Sequence, residues 1–409
     1  MLFFCSPIRY FFVRIKHMKE IKNLKKTAER ILKAIKNKEK IILYGDGDLD
    51  GTASVIILEE SIKSLGGKIS AVYFPDREKE GYGLNKKALN YLKEIAPALL
   101  ITLDCGIGNF EEIKVAKKMG FEVIVIDHHE VLNKLPEASI IVDPKQKDDN
   151  YPFKQFANVG ITYKLAQVLL GDKLTGLLKR NFLELVALAT IADMMPQVEE
   201  NKVFIEEGLQ YLKETLRPGL RIFWKVDGIK DSGHPKMMVS KIISILNAAG
   251  TQNHLTESYL LLTSGDEKSA ESFVKVLIRK SEEKHLRIQE IVQEIEKRLL
   301  KNLESPIIFE GDKNWPLAFA GPVASFICRD FQKPVFIFHI GKSTSRGAVR
   351  TPKDMNSVKA MENCSHLLET FGGHPLASGF TIKNENLDRF RECLIDYFKK
   401  QEKSKGNKK

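Results

Sequence analysis

Between Lys40 and Pro144 the chain repeats one pattern, a short β-rich apolar run followed by a stretch with helical apolar spacing. The runs are KIILYG, ISAVYF, LLITLD, EVIVID and SIIVDP, and 3.6-residue periodicity falls on residues 52–65, 86–95 and 110–119. This alternation predicts βαβ units and a parallel sheet buried on both faces. Acidic residues and histidines recur at the carboxyl ends of the runs, where α/β proteins place their ligands. GDGDLDG follows KIILY and brings Asp46, Asp48 and Asp50; Asp104 ends LLITLD; Asp127, His128 and His129 end EVIVID; Asp193 closes ELVALATIAD.

The remainder of the chain sets the domain plan. At 409 residues there is room for two to three domains of ~150 residues. With 43% hydrophobic residues, 29% charged residues, 27 Gly and 15 Pro, the composition is globular. A basic N-terminal arm and helix over 1–39 precedes the first α/β unit at 40–200. Helical patterns dominate from about 159 onward, with a connector region at 201–303 whose SEEKHLRIQEIVQEIEKRLLKN stretch reads as solvent-facing. A second, smaller α/β unit spans 304–400: SPIIFEG, a helix at GPVASFICRDF, PVFIFHI, RGAVRT, a helix over 357–369, the turn FGGHP, SGFTI and a terminal helix. A basic tail, 401–409, follows. The fold class is thus α/β and two-lobed, and a cleft between lobes is the expected ligand site.

Charge and cysteine usage exclude several functions. Of the net +11, residues 1–40 hold +9 and residues 399–409 hold +5, leaving −3 for the rest. The basic excess is therefore weak evidence for a nucleic-acid groove, although basic ends attract a polyanion at low salt. Five scattered cysteines, with no CxxC pair, argue against a disulfide framework and a thiolate zinc site, and suit a reducing cytoplasm. The opening MLFFCSPIRYFFVRI is too short and too charged to span a bilayer, so no membrane association is expected; residues 1–17 read as a start-codon extension or loose arm. HIGKST resembles the end of a phosphate-binding loop, but Phe336 stands where the first glycine is required, so no nucleotide cofactor is expected. Cys105, Trp224 and Trp315 read as packing residues.

GDGDLDG alone is an ordinary turn, and a His-His pair alone is ordinary filler. Their conjunction changes the reading. In an extended segment Asp46, Asp48 and Asp50 would project to one side, and three close carboxylates repel one another unless cations neutralise them. Oxygen and imidazole donors without thiolate suit Mn²⁺ or Mg²⁺. Two such ions roughly 3.5–4 Å apart are a recurring device for hydrolysing phosphoesters.

GDGDLDGTAS, DCGIG, VIDHHE and ATIADMMP resemble the four motifs of the DHH phosphoesterase superfamily. EGYGLN, VDPKQ and YPFKQFANVGITYKLAQ are similar to the RecJ family of single-strand-specific 5′→3′ exonucleases, and FGGHPLASGFTI resembles the DHHA1 substrate-binding motif; together the likeness covers about residues 40–400. The resemblance implies that Asp48, Asp50, Asp104, His128 and Asp193 coordinate two metal ions, Mn²⁺ or Mg²⁺, with Asp104 bridging. Asp46 matches an extra acid of the RecJ motif, as a ligand or a group beside one. It further implies that Asp127 orients a histidine and that His129 contacts the scissile phosphate or moves a proton, so that His129 and Asp104 are the catalytic candidates. Related pyrophosphatases have a ligating histidine where this chain has Tyr44. Substrate contacts fall on Gly372, Gly373 and His374, with Arg346, Arg350 and Asn158 as further candidates. The implied activity is metal-dependent hydrolysis of single-stranded DNA or RNA, with replication or repair proteins as partners. An oligoribonuclease or cyclic-dinucleotide phosphodiesterase, and a non-catalytic replisome scaffold of the same fold, are the rival readings. Larger bacterial RecJ enzymes carry an additional OB-fold domain, for which this sequence has no room; a compact version is expected.

Overall fold

A computed structural model describes residues 20–406 except 78, 132–133, 228, 230–234 and 300–304. The expected arm at 1–17 lies outside the described residues. The first element among the described residues is α1 (Leu24–Lys36), whose Leu24, Ala28, Ile31 and Ala34 face inward, so this basic helix is part of the first lobe's core.

The expected βαβ alternation is present: β1 (Ile41–Gly45), α2 (Leu49–Ser64), β2 (Ala71–Tyr73), α3 (Lys86–Leu92), β3 (Ala98–Leu103), α4 (Phe110–Lys118), β4 (Phe121–Ile126) and β5 (Ile140–Val142). The five strands form one parallel sheet in the order β2-β1-β3-β4-β5. Alternate residues feed opposite faces, Ile41 and Leu43 one core, Ile42 and Tyr44 the other. Two-sided burial explains why the strands read as unbroken apolar runs. A helical layer follows: α5 (Asn158–Leu170), α6 (Gly176–Ala192), α7 (Glu199–Leu212), α8 (Pro218–Arg221), α9 (Pro235–Leu246), the short pair β6 (Thr251–Gln252) and β7 (Leu255–Thr256), and α10 (Glu257–Leu262).

Next comes α11 (Glu267–Leu299), which corrects the expectation of a solvent-facing connector. Its Ala270, Val274 and Leu277 belong to the first lobe's core, whereas Ile291, Val292, Ile295 and Leu299 belong to the second's. The helix is long because each end is buried in a different lobe.

The second lobe contains β8 (Ile308–Asp312), α12 (Leu317–Phe331), β9 (Val335–Ile340), β10 (Thr344–Arg350), α13 (Ser357–Asn363), β11 (Leu368–His374), β12 (Ala377–Lys383) and α14 (Leu387–Gly406). Its mixed sheet runs β11-β12-β10-β9-β8, with only β8 and β9 parallel. Two local expectations change here. The helix expected over 357–369 stops at Asn363, and FGGH is strand, not turn, because Gly372 and Gly373 pair with Gly379 and Ser378 of β12. The backbone of α14 stays helical to Gly406, beyond the expected start of the tail at 401. Cys364 and Cys393 form a disulfide joining α13 to α14, so one bridge is present where the cysteine spacing suggested none. No helix among the described residues is long and apolar enough to cross a membrane.

Candidate metal centre

Strand ends and helix starts bring the acidic residues together, by a route different from the one the sequence suggested. Asp46 follows β1, Asp48 caps α2 by accepting from the backbone of Asp50 and Gly51, and Asp50 lies in the first helical turn. The strand-to-helix bend, not the pleat of an extended segment, makes the three converge. Gly51 permits it, since a Cβ there would lie 2.4 Å from the Asp46 carbonyl oxygen.

Asp50 points inward and accepts at both oxygens from the backbone N–H groups of Asn158 (2.7 Å) and Val159 (2.8 Å), at the start of α5. Asp104 follows β3 with φ +63°, and its Oδ1 lies 3.1 Å from His128 Nε2. His128 Nε2 is also 3.7 Å from carboxylate oxygens of Asp50 and Asp193. Behind it, His128 Nδ1 donates to the Phe156 carbonyl at 2.8 Å.

Asp127 is the organiser beside these groups. Its Oδ1 accepts from the His128 and His129 backbone and from His129 Nδ1 at 2.7 Å, and its Oδ2 from Ile107 N. Burial alone would push its carboxyl up, but the neighbouring His129, with His128 and the Ile107 N–H, outweighs that and holds it down at about 2. His129 therefore has a fixed ring orientation.

The electrostatics of the centre are unbalanced in favour of a cation. Burial, then repulsion by Asp48, pushes Asp50 up to about 8; burial and neighbouring carboxylates push Asp104 and Asp193 well above the usual range. Burial first, then His129 and Lys145, holds His128 well below the usual imidazole range. Asp104 Oδ1, His128 Nε2 and Asp193 Oδ2 are buried with no hydrogen-bond partner among the described residues. Orphaned oxygens and a bare imidazole nitrogen at one point fit a hard divalent ion. Three compact donor groups, Asp50–Asp104–His128, Asp46–Asp48–Asp104 and Asp104–Asp127–His129, share Asp104.

Three residues that sequence reasoning did not assign stand at this centre. Arg77 Nε donates to Asp46 Oδ1 at 2.8 Å, and its Nη2 pairs with Asp46 and, at 2.9 Å, with Asp48. Tyr82 donates to the Asp104 carbonyl at 3.0 Å and lies 3.2 Å from His129 Nδ1. Lys145 stands 3.1 Å from His374. The quoted stretches EGYGLN and VDPKQ contained Tyr82 and Lys145, but only the folded loops say what those side chains face.

Substrate candidates divide. His374 reaches across the cleft to stack near His129, with ring centroids 5.0 Å apart, and lies 4.8 Å from the His128 ring. Space beside Gly372 is open, whereas Gly373 adopts φ +127°. Exposed Arg346 extends to Gly81 of the first lobe, its Nη1 lying 3.7 Å from where a Cβ on that glycine would stand. Arg350 is held by Ser325 Oγ at 3.0 Å and feels the charge of Asp193. Asn158 is a correction, for it is fully buried and cannot touch a strand. Its amide braces the centre instead, accepting from Ser54 Oγ (3.0 Å) and Asp104 N (2.9 Å) and donating to the Ile126 carbonyl (3.0 Å). Tyr44 donates to the Gly83 carbonyl at 2.8 Å. Cys105 and Trp315 are core residues and Trp224 packs against the core, as expected.

Comparison with known proteins matches two family models to the chain. Residues 40–190 match the DHH family, N-terminal domain, and residues 304–400 match the DHHA1 domain. The single-stranded-DNA-specific exonuclease RecJ of Bacillus subtilis is 35% identical over 380 residues, 92% of this chain and 48% of the relative. RecJ of Thermus thermophilus is 28% identical, over 92% of this chain and 54% of the relative. The chain thus spans about half the length of these relatives. A crystal structure of exonuclease RecJ bound to manganese superposes with TM-score 0.72 at 26% identity, covering 93% of this chain and 95% of that one. The Thermus thermophilus RecJ structure in complex with Mn²⁺ gives TM-score 0.77 at 24% identity, over 95% of this chain and 56% of that one. The two domains, in this order and with their motifs intact, place the chain in the DHH/DHHA1 family, among the relatives of RecJ.

Proposed function

We propose that the chain is a metal-dependent phosphodiesterase that removes nucleotides from single-stranded DNA, with 5′→3′ polarity. The observation that carries this is the convergence of Asp104 Oδ1, His128 Nε2 and Asp193 Oδ2, buried and without partners, on one point. Asp46, Asp48, Asp50, Asp104, His128 and Asp193 would hold two ions, Mn²⁺ or Mg²⁺. Bound there, the ions supply an acidified water and positive charge for the oxygens of the reacting phosphate.

The protein's own residues do the rest. Asp127 fixes the His129 ring so that its Nε2 can take or return a proton at the reacting phosphate. Asn158 and Tyr82 hold the Asp104 backbone from two sides. From the second lobe, His374 and the open backbone at Gly372 approach a substrate phosphate, and Arg346 and Arg350 contribute charge. The units 40–200, 201–303 and 304–400 then act as catalytic lobe, connector and substrate lobe.

Relatives named as single-stranded-DNA-specific exonucleases support DNA over RNA or dinucleotides, and the intact acidic set speaks against a scaffold. A cytoplasmic site, with replication or repair proteins as partners, suits such a substrate. End-labelled single-stranded DNA, RNA and dinucleotides incubated with Mn²⁺, with Mg²⁺ and with chelator provide the test. Stepwise shortening of DNA, abolished by chelator, is expected; chelator-resistant cleavage, or preference for dinucleotides, contradicts the reading.

A further inference from the structure

Three histidines meet where the lobes face each other, and the partners of their Nδ1 atoms sort them into two kinds. His128 Nδ1 lies 2.8 Å from the Phe156 carbonyl and His129 Nδ1 2.7 Å from Asp127. Carbonyl and carboxylate oxygens only accept, so both rings carry hydrogen on Nδ1 and leave Nε2 unprotonated, with the Tyr82 hydroxyl 3.4 Å from that of His129. His374 is the reverse. Its Nδ1 lies 3.1 Å from Lys145 Nζ, an ammonium that only donates, so Nδ1 accepts and the ring hydrogen sits on Nε2. Lys145 is in turn held 3.2 Å from Glu130, with its side chain 12% exposed.

By distance alone the three rings form a metal site, since their nitrogens lie within 4.8 Å of one another. The hydrogen placement rules against that reading: an ion there would meet the N–H of His374 with an ammonium behind it. An anion meets the opposite situation. His374 Nε2 is buried and has no hydrogen-bond partner among the described residues, and two positions earlier on the same strand a Cβ at Gly372 would meet nothing within 4 Å.

We propose that Lys145 is a positioning residue that reaches across the lobe boundary and fixes His374 as a hydrogen-bond donor, so that the second lobe offers Nε2–H to a phosphate oxygen of the substrate. This rests on the phosphodiesterase reading of the site. Lys145 acts through the ring and not on the phosphate, and its attachment to the first lobe makes the donor available only when the lobes are together.

The test is ¹⁵N resonance spectroscopy of the full chain labelled at histidine, with the His374 signals assigned by their loss in His374→Asn. In the native chain Nε2 should be protonated and Nδ1 should show the shift of a hydrogen-bonded acceptor. In Lys145→Met the Nδ1 signal should move to that of a free acceptor. KM for a phosphorylated single strand should rise about tenfold to a hundredfold, the loss of one hydrogen bond to a charged group, with kcat changed far less. Lys145→Arg, which keeps a donor, should restore both. Hydrogen on Nδ1 in the native chain, or an Nδ1 signal unmoved in Lys145→Met, overturns the proposal. The native spectrum decides even where Lys145→Met does not fold. Hydrolysis of DNA with the wrong tautomer defeats this inference alone, whereas the expected tautomer without hydrolysis defeats the exonuclease reading and leaves the ring assignment standing.

Discussion

Asp104 is where the centre concentrates its constraints. It is common to three compact donor groups, it takes a left-handed backbone conformation that aspartate tolerates better than most residues, and its N–H is held by the Ile126 carbonyl and the Asn158 amide. Removing it takes away a proposed ligand, and its side chain belongs to none of the apolar core clusters. We expect Asp104→Ala to lose hydrolysis by more than about a hundredfold, as loss of preorganised transition-state charge stabilisation typically does. Native protein with Mn²⁺ at a hundred times Kd should melt about 5–10 °C higher than without it. Asp104→Ala should lose that shift and keep its metal-free melting temperature; a variant that still responds fully to Mn²⁺ contradicts the assignment. Asp143 offers a test away from the donor set. It is fully buried, its Oδ1 accepts from Lys145 N at 2.8 Å, and burial with the nearby Asp127 charge pushes it up to about 8. Between the unfolded value near 4 and about 8, the folded chain keeps a proton that the unfolded chain has lost. Stability therefore falls as pH rises through that window, by up to about 1.4 kcal/mol per unit. Asp143→Asn has no such proton, so its metal-free melting temperature should fall less between pH 5 and pH 8 than that of the native chain; parallel curves would exclude the effect.

At the scale of elements, what the sequence made legible was whatever has a period. Parallel strands buried on both faces must be apolar at every position, so β1, β3 and β4 stood out, and the acids at their ends could be read as one site. Legibility ended where meaning depends on a distant partner. FGGH reads as a turn by composition and becomes a strand because ASGFTI lies antiparallel to it. Asn158 reads as a polar contact and becomes a buried brace because Ser54 and Asp104 close over it. Cys364 and Cys393 carry no spacing signature, being 29 residues apart, and Arg77 stands 29 residues beyond the Asp48 that it pairs with. The junction of β1 with α2 is a sharp test of the element. Gly51 lies against the Asp46 loop, where an added Cβ meets backbone that cannot swing aside. Gly51→Ala should destabilise by about 1–3 kcal/mol, as overpacking does, and should weaken Mn²⁺ binding together with stability because it displaces Asp46 and Asp48. Calorimetric titration of Mn²⁺ into the folded variant checks this, and native affinity would show that the close approach is not what sets the acids.

In the whole molecule, two lobes with separate cores share one helix. The first lobe buries the faces of the parallel sheet and the helices around it, the second buries both faces of its mixed sheet, and α11 is anchored in each. Every proposed ligand sits in the first lobe, while the Cys364–Cys393 bridge sits wholly in the second. Ion and bridge therefore report on different cores. Scanning calorimetry of the oxidised chain should resolve two transitions. Mn²⁺ should raise the transition of the first lobe, because only that lobe's folded form binds it. Reduction of the bridge should lower the other by about 3–4 kcal/mol, the unfolded-chain entropy recovered when a loop of this length is opened. The groups that face each other across the cleft, His374 with Lys145 and the His128 and His129 rings, and Arg346 beside the Gly81 segment, lie outside the apolar cores of the two lobes. A single transition moved equally by Mn²⁺ and by reductant would mean that α11 couples the lobes into one cooperative unit, and closure of the cleft would then be part of folding and not a step available to a bound strand.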